Sequence, residues 1–182
     1  IAHGSLMGAR GNSGVILSQI LRALATSTAT ASFDPNGRWL ADGLVAASLA
    51  AYEAVGTPVE GTILTVVREA SEAAVQTATG SSGLLAVAEA AREAAGRSLD
   101  RTPELLPVLA EAGVVDAGGY GFLLFLDAVL TVVDGRALPE APDPGSVPRL
   151  ADNHHVSTAD TTTRYEVMYF LDADDDLIPD FR

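Results

Sequence analysis

Through the first two-thirds of this chain, apolar side chains recur with helical spacing, and only short turns separate one such segment from the next. Short connections place successive helices antiparallel, so the expected fold is an all-α, up-and-down antiparallel helical bundle with several loops gathered at one end. The first helix is predicted over residues 13–26, where Ile16, Leu17, Ile20, Leu21 and Leu24 share one broad face. Turn chemistry at residues 33–37 leads to a second helix over 38–55. Thr57-Pro58-Val59-Glu60 reads as a capping box that opens a third helix running to residue 79. A break at residues 80–83 precedes a fourth helix that runs to residue 99. A fifth is predicted over 102–113, capped by Thr102, bent at Pro107 and ended by Gly113. Residues 116–121 then lead into a sixth, over 122–133.

Composition narrows the chemistry. The 182 residues carry a formal net charge of −13 and no basic stripe, which argues against nucleic acid and anionic membranes as partners. No unbroken apolar run spans a bilayer, because Asp127 interrupts residues 122–133. Without cysteine there is no disulfide, thiolate nucleophile or cysteine-based zinc site, and a cytoplasmic location is the expectation. All 11 basic residues are arginines, so the lysine of a P-loop and a Schiff-base lysine are both absent. The first residue is isoleucine rather than an initiator methionine, so a longer gene product is expected.

Two glycine-rich helix starts stand out. Gly8, Ala9, Arg10, Gly11, Asn12, Ser13 and Gly14 leave main-chain N–H groups unshielded, with Asn12 and Ser13 placed to cap the next helix. A helix N-terminus with free N–H groups suits a phosphate. Asp116, Gly118 and Gly119 form the second start. Asp116 reads as a ribose or base acceptor, as the partner of a metal-bound water, or as a plain N-cap. Gly61 and Thr62 open the third helix and are predicted to face the same end. Glycines also serve tight turns and close helix packing, and that reading stays open for each loop taken singly.

Polyphosphate in so acidic a protein needs cations. Two like charges about 4 Å apart repel by about 4 kcal/mol at a dielectric of about 20. Arg10 is the one basic side chain in the first loop, so Mg²⁺ on carboxylates is expected. Yet Asp34, Asp42, Asp116 and Asp127 are scattered. Residues 172–176 lack the glycine and the closing glutamate of a calcium loop, and His154-His155 sits in a polar stretch. No metal ligand and no catalytic residue is assigned from the sequence.

The stretch Gly4-Ser5-Leu6-Met7-Gly8-Ala9-Arg10-Gly11-Asn12-Ser13-Gly14-Val15-Ile16-Leu17-Ser18-Gln19 closely resembles the glycine loop of bacterial Dak2-domain proteins. These are the nucleotide-binding relatives of dihydroxyacetone (glycerone) kinase and include the kinase subunit of bacterial fatty acid kinase. Glu60-Gly61-Thr62-Ile63-Leu64-Thr65-Val66 looks like a second block of that family. Leu106-Pro107-Val108-Leu109, continued by Gly113-Val114-Val115-Asp116-Ala117-Gly118-Gly119, looks like a third. The match covers residues 1–133. It implies a domain at 1–134, a linker at 135–163, and at 164–182 the start of a following α/β domain whose first strand is residues 164–171.

The resemblance implies a helical bundle or barrel with ATP at one end. Phosphates would lie on residues 8–14, with Gly61, Thr62, Asp116, Gly118 and Gly119 closing over the nucleotide. The family's Mg²⁺ ligands are aspartates of an Asp-Gly-Asp-Thr-Gly motif that precedes the glycine loop. This sequence lacks it, so the chain alone is expected to be inactive. The Asn-Ser form of the loop favours phosphoryl transfer to a fatty acid presented by an acyl-carrier partner protein. A dihydroxyacetone-type kinase and a non-catalytic nucleotide-binding or scaffold domain are the alternatives, and homodimerisation is left open.

Overall fold

The computed structural model describes residues 1–30, 35–79 and 83–140, and every element among them is a helix. In chain order these are α1 (Ala2–Gly8), α2 (Gly11–Thr30), α3 (Gly37–Glu53), α4 (Ile63–Thr77), α5 (Leu84–Asp100), α6 (Thr102–Leu105), α7 (Pro107–Ala112) and α8 (Ala117–Asp134). The linker at 135–163 is described only over its first six residues, which form no helix or strand. The strand at 164–171, the histidine pair and residues 172–176 lie outside the described residues, as do residues 80–82 of the predicted break.

Side-chain contacts fix the directions of the long helices. Gly43, midway along α3, lies against Leu24 in the second half of α2. Tyr52, near the end of α3, reaches Glu60 and Arg68 around the start of α4. Arg101, just past α5, pairs at 2.6 Å with Glu69 in the first half of α4. Arg92 pairs with Asp127, and Arg136 with Glu89, which sets α8 antiparallel to α5. Consecutive long helices therefore alternate in direction. The starts of α2, α4 and α8 share one end of the bundle with the ends of α3 and α5.

Alanine brings the central helices close. Ala47 and Ala51 on α3, Ala70 and Ala74 on α4, and Ala88, Ala91 and Ala95 on α5 are all buried at helical spacing. Such small residues allow helix axes to approach at the short end of the usual 8–10 Å range. Ile20, Leu44, Val66, Val67, Val87, Phe122, Leu126 and Leu130 fill the remaining volume.

Several boundaries depart from the periodicity. Residues 2–8, ahead of the first helix given by the periodicity, form α1, and His3 sits exposed on it. Helix α2 begins at Gly11, so Asn12 and Ser13 lie inside its first turn rather than ahead of it. The capping box at 57–60 does not form. Helix α4 starts after Thr62, whose Oγ1 accepts from the Leu64 amide, because the Glu60 carboxylate is committed to side chains. Pro107 splits the fifth helix instead of bending it: Leu106 is extended (φ −127°, ψ 100°) between α6 and α7. Thr102 is the first residue of α6 rather than its cap. Gly113 ends α7 in the left-handed conformation, as the pattern required.

Helix α8 begins five residues before the predicted start, so Gly118, Gly119 and Gly121 are helical. By length and composition α8 is long and apolar enough to cross a membrane, a test that a buried core helix also passes, and Asp127 still interrupts its apolar run. Its Phe122, Leu123, Leu126 and Leu130 pack into the bundle core, and Asp127 is buried against Arg92 at 2.7 Å.

Candidate functional site

Three short segments meet the solvent where α2, α4 and α8 begin. In the first, the chain turns from α1 into α2 at Gly11, whose φ of +65° lies in the left-handed region that favours glycine. A Cβ on Gly14 would come within 3.3 Å of the Ala9 backbone, a tight approach that the turn would have to relax to accept. A side chain at Gly8 would meet nothing. Asn12 and Ser13 are exposed at the start of α2, whose first amides have no partner within a helix. Arg10 Nη1 donates to the carbonyls of Ala9 (2.7 Å) and Met7 (3.4 Å) on the surface. It is a cation that an anion can recruit at the cost of two water-exposed bonds.

The second segment, residues 59–62, is tied by side chains. Thr62 Oγ1 donates to the Val59 carbonyl (2.8 Å) and accepts from the Leu64 amide (3.3 Å). Gly61 has a φ of +81°, and a Cβ there would fall 2.8 Å from Leu105 Cβ. Its amide donates to Thr65 Oγ1 (2.8 Å). Thr65 Oγ1 donates to Glu60 Oε2 (2.7 Å), and the Tyr52 hydroxyl donates to Glu60 Oε1 (2.8 Å). Arg68 donates to Glu60, Tyr52 and Glu72. The Thr65 bond first, with those from Tyr52 and Arg68, holds the Glu60 carboxyl below its usual range. Burial and the Glu60 bond push the Tyr52 hydroxyl up.

In the third segment Asp116 is an N-cap: its Oδ2 accepts from the Gly119 amide at 2.7 Å. The Asp116 amide donates to Thr102 Oγ1 (3.0 Å), and the buried Thr102 hydroxyl donates to the Leu99 carbonyl (2.7 Å). That chain ties the start of α8 to the end of α5. A Cβ on Gly118 would lie 3.2 Å from Ile63 Cβ, and one on Gly119 would lie 2.9 Å from Val66 Cγ2. The α8 start therefore rests directly on the first turn of α4.

Gly61 and Thr62 are thus brought beside Asp116, Gly118 and Gly119. Helix direction puts residues 8–14 at the same end. Sequence reasoning missed Tyr52, Thr65 and Arg68. The available signal was Thr65 and Arg68, one turn apart on α4 and just after an acidic residue.

Among the described residues no three His, Asp or Glu side chains gather into a metal-holding group. The described residues therefore offer Mg²⁺ no ready-made cluster, and one or two carboxylates with the phosphates of a nucleotide would have to hold it. A hollow of about 530 Å³ opens at the opposite end, lined by Leu21, Leu24, Trp39, Leu84, Phe125 and Val129 among others. It is nearly all apolar, with none of the charged groups that a phosphate needs, so it is not the counterpart of the glycine turns.

The model of the DAK2 domain family matches residues 1–131. Protein YloV of Bacillus subtilis (strain 168) is 41% identical over 170 residues, which cover 93% of this chain and 31% of that protein. The uncharacterized protein SAB1090 of Staphylococcus aureus (strain bovine RF122 / ET3-1) is 46% identical over 135 residues, 74% of this chain and 24% of that protein. The uncharacterized protein SAUSA300_1119 of Staphylococcus aureus (strain USA300) is 45% identical over the same length. The chain thus spans less than a third of these curated relatives.

Proposed function

The chain belongs to the DAK2-domain family, a kinase-related domain, and from that premise we propose that it is the part of a kinase that binds ATP. The observation that carries the reading is the convergence of Gly61, Thr62, Asp116, Gly118 and Gly119 at the end of the bundle where the exposed α2 start also lies. On this reading residues 8–14 receive the phosphates on the main-chain amides that open α2, with Arg10 as the nearby cation. Thr62 and the α8 start flank the nucleotide. The domain's part in the reaction is to bind and orient, since phosphoryl transfer rests on positioning and charge neutralisation. Among the described residues no cluster of three ligating side chains is present for Mg²⁺, and none of these roles is assigned to the ion.

The acceptor on this reading is a fatty acid carboxylate presented by a carrier protein. Its support is the Asn12-Ser13 form of the glycine turn. Titration calorimetry of the intact protein with ATP and Mg²⁺ tests the binding. A measurable heat, with slowed amide exchange at residues 8–14, is expected, and no heat at all overturns the reading. Assays with carrier-bound fatty acid and with dihydroxyacetone identify the acceptor. Turnover of dihydroxyacetone alone replaces the fatty acid reading with the sugar-kinase one. Turnover of neither, together with ATP binding, makes this a non-catalytic nucleotide-binding domain.

A further inference from the structure

We propose that Glu60 is a positioning residue for nucleotide binding, acting through Thr65 to fix the Gly61-Thr62 turn where α4 begins beside α8. This rests on the ATP reading above. The argument starts from proton direction. The Gly61 amide donates to Thr65 Oγ1, so that oxygen already accepts one bond. The single Thr65 hydroxyl proton then goes to Glu60 Oε2 at 2.7 Å. The relay runs one way, from amide to hydroxyl to carboxylate. Thr65 is fully buried, so its proton has no solvent acceptor in reserve.

The turn is held from the other side as well. Leu105 and Leu106 stand against Gly61, with a Cβ position only 2.8 Å from Leu105 Cβ. The left-handed Gly61 is thus wedged between the hydrophobic corner that joins α6 to α7 and the Glu60 relay. Tyr52 holds the second carboxylate oxygen from α3, and Arg68 holds the first from α4. Three side chains from two helices therefore converge on one carboxylate whose own residue directly precedes Gly61.

Charge alone predicts the opposite effect. Arg68 is shared by Glu60, Glu69 and Glu72, so the cluster is net negative and repels a polyphosphate. Were Glu60 only a charge, neutralising it would tighten ATP binding. If it positions the turn, neutralising it weakens binding, because Gln offers one acceptor oxygen where Thr65, Arg68 and Tyr52 now share two.

The test is titration of ATP into the intact protein and its variants, with circular dichroism to confirm folding. Glu60→Gln and Thr65→Val are each expected to raise the Kd for ATP about tenfold, and Thr65→Ser to leave it within about twofold. The double variant should be no worse than either single one. Unchanged or tighter binding by Glu60→Gln overturns this inference and leaves the ATP reading standing. Equal behaviour of Thr65→Val and Thr65→Ser removes the relay. If Glu60→Gln does not fold, the Thr65 pair decides. No ATP binding by the unaltered protein overturns the nucleotide reading and this inference with it.

Discussion

Gly11 sits in the left-handed region with open space where a side chain would project. Gly119 is helical, with Val66 and Leu99 pressed against the same position. Both belong to glycine-rich helix starts that look alike in sequence. At residues 8–14 the glycines shape a turn and leave main chain exposed. At residues 116–121, Gly118 and Gly119 are missing side chains that let α8 lie on α4. A glycine cluster records that something must come close to the backbone. Only the fold tells whether it is a neighbouring helix or a solvent-side ligand.

The largest effect expected from this contrast is at Gly119. Gly119→Val should destabilise the protein by about 3 kcal/mol, since its first carbon already lies inside contact distance of Val66 and more atoms follow. Urea unfolding measures it, and a loss below the error of the method would show that α8 does not need this close approach. Gly11→Ala should cost about 1–2 kcal/mol for the left-handed conformation alone, with no packing penalty.

Gly121→Ala sharpens the comparison inside one segment. A Cβ there meets nothing, so the helix gains up to about 1 kcal/mol. Gly8→Ala should leave stability within about 0.5 kcal/mol. Its effect is expected on ATP affinity instead, as a severalfold loss in calorimetry of the intact protein. Undiminished affinity would show that residue 8 has no close contact with the ligand.

The smallest effect is the pH dependence of the loop between the two regions. Glu60 is held below its ordinary value of 4.5 in the folded protein. Its carboxylate therefore adds stability that is complete above that value and lost as pH falls through the lower folded one. The difference in urea midpoint between the unaltered protein and Glu60→Gln should hold steady from pH 7 to about 5 and shrink below it. A difference that grows on acidification would reverse the assigned direction.

The α2 stripe was legible because Ile16 and Ile20 recur at helical spacing and are indeed buried. The end of α7 was legible because Gly113 alone takes the left-handed cap cheaply. The start of α4 was not. Thr57 and Glu60 fit a capping box, yet Glu60 is drawn to Tyr52, Thr65 and Arg68, and Tyr52 lies on the preceding helix. The role of Asp116 was legible only as a set of alternatives. The structure shows its N-cap bond to the Gly119 amide.

Local sequence determined that the described part of this chain is helical, roughly where its helices lie, and that two of its helix starts have exposed or closely approached backbone. Period and turn chemistry act over a few residues, so a sequence carries them directly. Tertiary structure decided which glycines face solvent and which face Ile63, Val66 and Leu99. It also decided that Glu60 joins α3 to α4 rather than capping a helix. Those choices depend on contacts between residues distant in the chain, whose energies become comparable with local preferences only once the helices have packed.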